Sequence, residues 1–203
     1  MSRRLPSLPM KLTREQTEKN RTAILEAAQR LFRERGFEGV GVADLMREAG
    51  FTHGGFYNHF SSKEALAMEA CQEALGKANA AFADSLEHGK GNPWRRYVVE
   101  YLSREHRDDP GCGCTLGALS ADAARQGPEL QSSFAEAIEQ VIGILANHFR
   151  KTAPGEPRAQ ARASAVQQFS ELIGALVLSR AVSGADPRLS EEILSTNRRR
   201  LEI

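Results

Sequence analysis

The stretch AGFTHGGFYNHFSSKEAL, residues 49–66, decides how the rest of the chain is read. It sets Gly54-Gly55 inside what scans as a short helix and follows them with Phe56-Tyr57-Asn58-His59-Phe60. Phe56 and Phe60 stand one helical turn apart, so both are expected to turn inward. Tyr57, Asn58 and His59 lie between them, polar and outward, with no core reason to be there. Thr52 is expected to cap a helix over residues 53–59. Ser61, with Glu64 three residues on, has the form of a capping box that opens a long helix to about residue 87. The ordinary alternative is a helical hairpin with aromatic core residues.

Upstream, residues 14–35 carry Ile24, Leu25, Ala28, Leu31 and Phe32 on one stripe, and Gly36 is a natural stop. Val42, Leu45, Met46 and Ala49 pattern a short helix over 43–49, ended by Gly50. Two short helices joined by Gly50-Phe51-Thr52 and backed by a first describe a helix-turn-helix. Leu45, Met46, Phe51, Phe56 and Phe60 would build a miniature core that holds the third helix out as a probe for a major groove. Three parts are expected: a flexible basic arm over 1–13, the helix-turn-helix over 14–62, and a helical body over 63–203. The arm and its edge carry Arg3, Arg4, Lys11 and Arg14, suited to a minor groove or phosphates, or simply a solubilising tail.

In the body the breaks HGKGNP (88–93), RDDPGCGC (107–114), APGEPR (153–158) and GADP (184–187) leave helix-sized segments. Helices are expected over 94–107, 115–125, 128–151, 159–183 and 189–201. No β-type alternation interrupts them, so the fold class is all-α. The 203 residues are 41% hydrophobic and 26% charged, an ordinary globular balance. No apolar run approaches the roughly 20 residues that span a bilayer, and the first sixteen residues hold no signal-peptide block. The expected place is the cytoplasm, where three cysteines make no disulfide framework. Net charge is +1, but unevenly spread: residues 1–63 hold 11 Lys/Arg against 7 Asp/Glu, and 64–203 hold 16 against 19. A basic front on an acidic body is compatible with nucleic-acid contact by the front.

The run from Thr22 to Leu66 resembles the DNA-binding domain of the TetR family of bacterial transcriptional regulators. The likeness rests on Phe32, Gly36 and Phe37, on Ala49-Gly50, on Phe56-Tyr57 with His59-Phe60, and on Ser62-Lys63-Glu64, all in order and spacing. The resemblance implies a repressor with no cofactor, a double-stranded DNA operator, an unknown small-molecule inducer, a homodimer and no membrane. It puts Thr52, His53, Gly55, Tyr57, Asn58, His59 and Lys63 near the duplex. By chemistry, Tyr57 and Lys63 suit phosphates, the latter beside helix N–H groups, while His53, Asn58 and His59 suit base edges or phosphates. Many relatives carry a side chain such as Thr where this chain has Gly55. Each glycine costs about 1 kcal/mol of helix propensity and lets the backbone approach the groove. Readout would then lean on His53, on neighbours such as Arg47, and on DNA shape.

In the body, Cys114 precedes a helix start, where a dipole favours thiolate. It is either a sensor of oxidants or electrophiles, as in some members of the family, or a small apolar packing residue. Cys112, Cys114 and His106 lack the paired spacing of a zinc site, and no metal is expected. Cys71 lies on an apolar stripe and is expected to be inert core. Trp94, Tyr97 and Tyr101, with Phe82, Phe134 and Phe169, are candidates to line an inducer cavity or simply core. His106 and Arg180 are expected at the surface, the alternative being a pairing with an acidic inducer. The segment LIGALVLSRAV (172–182) is apolar nearly all round, which predicts cover on both sides. A homodimer through this helix and the last one is expected, with Phe169, Ile173, Gly174, Leu176, Val177 and Arg180 as candidate residues, and two-fold symmetry implies a near-palindromic operator. Two other classes compete with the regulator. One is a thiol-dependent helical enzyme, against which no nucleophile–base pairing or phosphate loop is seen. The other is a helical protein-binding adaptor.

Overall fold

A computed structural model describes residues 13–202; Arg3, Arg4 and Lys11 of the arm lie outside them. Among the described residues every regular element is helical. Helix α1 (Arg14–Arg35) opens where the Thr13 side chain accepts from the Gln16 amide, and closes at Gly36, whose φ of 71° only glycine adopts without strain. Helix α2 (Val42–Glu48) follows. It ends in a Schellman cap: the Phe51 amide donates to Met46 O at 2.7 Å and the Gly50 amide to Arg47 O at 3.1 Å, with Gly50 at φ 82°. That cap turns the chain sharply into the next element.

The next element differs from the expected α-helix. His53–Asn58 is a single 3-10 helix. Gly55 N–H donates to Thr52 O at 3.0 Å and His59 N–H to Phe56 O at 2.9 Å, and the Thr52 side chain caps nothing. The physical reason is the glycine pair, which weakens the α form of so short a piece. The next boundary also moves by one residue. Ser62, not Ser61, caps α3 (Lys63–His88), accepting from the Ala65 amide at 3.1 Å, and Glu64 falls one place short of a box.

The body adds α4 (Pro93–Tyr101), α5 (Arg104–Asp108), α6 (Thr115–Ala123), α7 (Pro128–Thr152), α8 (Arg158–Val182) and α9 (Pro187–Leu201). The single helix expected over 94–107 is thus two. Leu102 leaves helical geometry, and the Ser103 hydroxyl restarts the chain by accepting from the His106 amide. Helix α3 packs on α1 at one end and on α7 along its length, α8 lies between α7 and α9, and α6 touches α1. One continuous apolar core runs from Ile24 to Leu201 and includes Phe32, Phe56, Leu102 and Leu172. No described helix is long and apolar enough to cross a membrane.

Candidate nucleic-acid interface and effector region

The front face is built from the 3-10 helix outward. Phe56 is wholly buried and Phe60 nearly so, and their rings lie 5.9 Å apart. Tyr57 stands edge-on to Phe56 at 5.2 Å, yet is 66% exposed. Thr52, His53, Gly54 and Asn58 are exposed; Gly55, His59 and Lys63 are half-buried. Four of the candidate DNA residues, Thr52, His53, Tyr57 and Asn58, are therefore open to solvent, with Phe56 and Phe60 buried beneath the segment. Arg47 on α2 is exposed, its guanidinium engaged with Asp44. That arginine and the Gly41 amide hold the Asp44 carboxyl below its ordinary value, the amide being the larger cause. A Cβ at Gly54 would meet nothing, and one at Gly55 would touch only Met46 Cε at 3.5 Å. The space above Gly54 is thus open, and that above Gly55 is bounded by Met46.

Two arginines that sequence reasoning did not single out fix this head. Arg21 on α1 donates to His59 O and pairs with Glu69 on α3, while its guanidinium lies 4.2 Å over the Phe60 ring. Arg33, half-buried, donates to Gly111 O, from Nε at 2.8 Å and from Nη2. The first joins the head to α3 and the second joins it to the 109–114 loop. No local pattern announces either residue, because their partners lie 38 to 78 positions away.

That loop is knotted to the interior of the body. The His106 ring accepts from the Cys114 amide at Nε2, 3.1 Å, and Nδ1 lies 2.7 Å from Tyr101 O. The carbonyl can only accept, so Nδ1 carries the proton and Nε2 is free of one. Burial, the larger effect, and nearby Arg180 hold the imidazole below the ordinary histidine range. Arg180 in turn donates to Arg107 O at 3.0 Å and His106 O at 2.6 Å. Neither His106 nor Arg180 is a surface residue as expected, and Arg180 is turned into its own body rather than toward a partner.

Cys114 is the N-cap of α6, its sulfur accepting from the Gly117 amide at 3.5 Å. It borders a small void of about 30 Å³ together with Phe82, Tyr97 and Phe169. Of the other cavity candidates, Tyr101 packs against Tyr97 from behind, Phe134 sits in the core elsewhere, and Trp94 walls a separate groove. The expected aromatic ring around one cavity is thus divided. The Tyr101 hydroxyl, close to Cys114, is buried without a partner among the described residues. Cys71 is core, its thiol pushed up to about 12 by burial. Cys112 is exposed. No group of three His, Cys, Asp or Glu side chains that could hold a metal occurs among the described residues.

On α8, Val166, Val177 and Leu178 are exposed apolar side chains, the last at 59%, with Ile173 and Gly174 half-exposed beside them. Leu176 and Phe169 face inward and are buried in the protomer, which corrects their placement among the candidate dimer residues. Spacing alone does not say which side of an all-round apolar helix meets its own body.

Residues 24–70 match the family model described as bacterial regulatory proteins, tetR family. The chain is 27% identical to LmrA, an HTH-type transcriptional regulator of Bacillus subtilis, over 173 residues that cover 84% of this chain and 91% of that protein. It is 26% identical over 152 residues to NemR, an HTH-type transcriptional repressor of Escherichia coli, covering 70% and 76%. The crystal structure of reduced E. coli NemR superposes with a TM-score of 0.71 at 24% identity, over 90% of this chain and 95% of that one. A TetR transcriptional regulator from Chloroflexus aurantiacus gives 0.76 at 21%, over 93% and 94%. The superpositions speak for the fold: a helix-turn-helix head on a helical body.

Proposed function

We propose, from the premise that the chain belongs to the tetR family and is a DNA-binding transcriptional regulator, that it is a homodimeric repressor working in the cytoplasm on a near-palindromic operator. A small-molecule inducer, or modification of Cys114, would release it. The family is one of transcriptional regulators, not enzymes, so the thiol-dependent enzyme is set aside. The adaptor goes with it.

The observation that carries the reading is the outward face of the 3-10 helix. It gathers Thr52, His53, Tyr57 and Asn58 over a buried Phe56, with open space above Gly54. Lys63 and Tyr57 would take phosphates, and His53, Asn58 and Arg47 would take base edges. The exposed Val166, Val177 and Leu178 of α8 support dimerisation, because an apolar strip of that length on a monomer calls for cover. Two-fold pairing sets two heads about one DNA turn apart. An effector that shifts the body then changes their separation through α3 and the Arg33–Gly111 contact. A preference of a few kcal/mol for the wrongly spaced state is enough to empty the operator.

The test is an anisotropy titration with the DNA upstream of the chain's own gene, at several salt concentrations, before and after oxidant or electrophile treatment, in the natural chain and in Cys114→Ser. Tight binding that weakens steeply with salt is expected. Loss on treatment only in the natural chain supports the thiol route, and indifference to treatment moves the release to a ligand. Salt-insensitive binding, or none to any DNA, would sink the regulator reading.

A further inference from the structure

We propose that the groove walled by Trp94, at the end of the body where α4 begins and α9 ends, binds an uncharged, flat aromatic molecule that carries a hydrogen-bond acceptor. The groove measures about 410 Å³, within the size range of small-molecule sites. The void beside Cys114, at about 30 Å³, admits little more than a water molecule. As folded, the body therefore offers room for a ligand at Trp94 and not at the thiol.

The chemistry of the groove is specific. Trp94 is only 6% exposed, and its indole N–H finds no acceptor among the described residues. An indole N–H is a donor and nothing else; covered as it is, it meets a ligand acceptor once the ligand parts the side chains over it. Phe149 stands edge-on to the Trp94 ring at 5.9 Å, which makes an aromatic corner for a flat ring. Asn92 spends its side-chain oxygen on capping α4, by accepting from the Arg95 amide, and keeps its NH₂ free. Thr152 donates its hydroxyl proton to backbone carbonyls of His148 and Phe149 and keeps lone pairs to accept. Gln168 adds an amide from α8. No carboxylate, lysine or arginine lines the groove, and burial, with Lys151 nearby, holds His148 below the ordinary histidine range. A charged ligand would find no counter-charge there. That occupancy reaches the DNA rests on the regulator reading above; the binding itself does not.

The chain has one tryptophan, so a ¹H–¹⁵N spectrum of the full chain contains a single indole cross-peak, and that peak belongs to the groove. The probe is coumarin, neutral and planar with a ring carbonyl. A saturable shift of the indole peak is expected. Saturation transfer to the coumarin protons should show binding about fivefold weaker in Trp94→Phe, which keeps a ring and removes the donor. Gln168→Phe, which fills the groove, should abolish binding while the indole peak reports that the fold is kept. An unmoved indole peak at the solubility limit of coumarin overturns the proposal, as does equal binding by Gln168→Phe. Operator affinity measured without coumarin tests the regulator reading on its own, so either can fail alone.

Discussion

The reading head and the body solve the same packing problem in different ways. In the head, local signals set each element, and Arg21 and Arg33 then tie the elements to the rest of the chain. Gly36 and Gly50 stop helices, the Phe51 amide returns to Met46, and two phenylalanines bury themselves behind an exposed tyrosine. In the body, the decisive contacts are distant. Arg180 reaches back more than 70 residues to the carbonyls of residues 106 and 107. The head is a short piece that must show a fixed face. The body is a set of long helices whose register is settled by buried polar ties. The lesson is that function in the head can be found by reading along the chain, whereas in the body it must be found by reading across it.

The sharpest way to break that contrast is Phe56→Ala. Emptying a fully buried aromatic site should cost about 3–5 kcal/mol in denaturant unfolding and abolish DNA binding. Sedimentation should still show the proposed dimer. Loss of that oligomer as well would make head and body one cooperative unit.

The complementary change is Val177→Glu on the outward side of α8. It should leave helicity nearly unchanged, dissociate the proposed dimer, and weaken operator binding by at least about 100-fold, since two heads then no longer bind as one. A sedimentation coefficient equal to that of the natural chain would move the interface elsewhere.

Arg33→Ala cuts the tie between the regions. Leaving the Gly111 carbonyl without its donor should cost about 1–3 kcal/mol. The larger signal should be a smaller difference between effector-free and effector-bound operator affinity. An undiminished response would show that α3 alone carries the message.

His106 gives a pH test. Because burial holds its imidazole low, the unfolded chain takes up a proton before the folded one does. Stability is therefore full above about pH 6.5 and falls as pH drops from there toward the folded value. Chemical denaturation from pH 7.5 to 5.5 should show this slope in the natural chain and a flatter one in His106→Gln. Since His148 shifts in the same direction, the difference between the two chains is what isolates His106.

The smallest effect is expected for Gly55→Ala. A methyl 3.5 Å from Met46 Cε fits, and it should raise stability by up to about 1 kcal/mol. Operator affinity should nevertheless change if the backbone comes close to the groove there. Unchanged affinity removes the close approach.

How much of this was legible follows from the same contrast. The end of α1 was legible because Gly36, without a Cβ, takes the positive φ that closes a helix. The 3-10 form of 53–58 was not, because a glycine pair lowers the preference for α without stating what replaces it. The break after Tyr101 was missed because Ser103 is an unremarkable residue until its hydroxyl is seen accepting the His106 amide. Among site residues, the exposed faces of Tyr57 and Asn58 followed from the two buried phenylalanines. Leu176 and Arg180 were misplaced because an all-round apolar helix gives no phase, and a lone arginine does not announce which carbonyls it will meet.

One further consequence lies in α3. The head rides on it, held by Arg21 at His59, Phe60 and Glu69, and the helix runs 26 residues without a break. At 1.5 Å per residue that is a rod of about 39 Å, so a tilt of only about 5° at the body end swings the far end by roughly 3 Å. The arrangement is a lever with large mechanical gain. A displacement too slight to disturb the core would still move the head by about the length of a hydrogen bond, the scale on which a groove contact is made or lost.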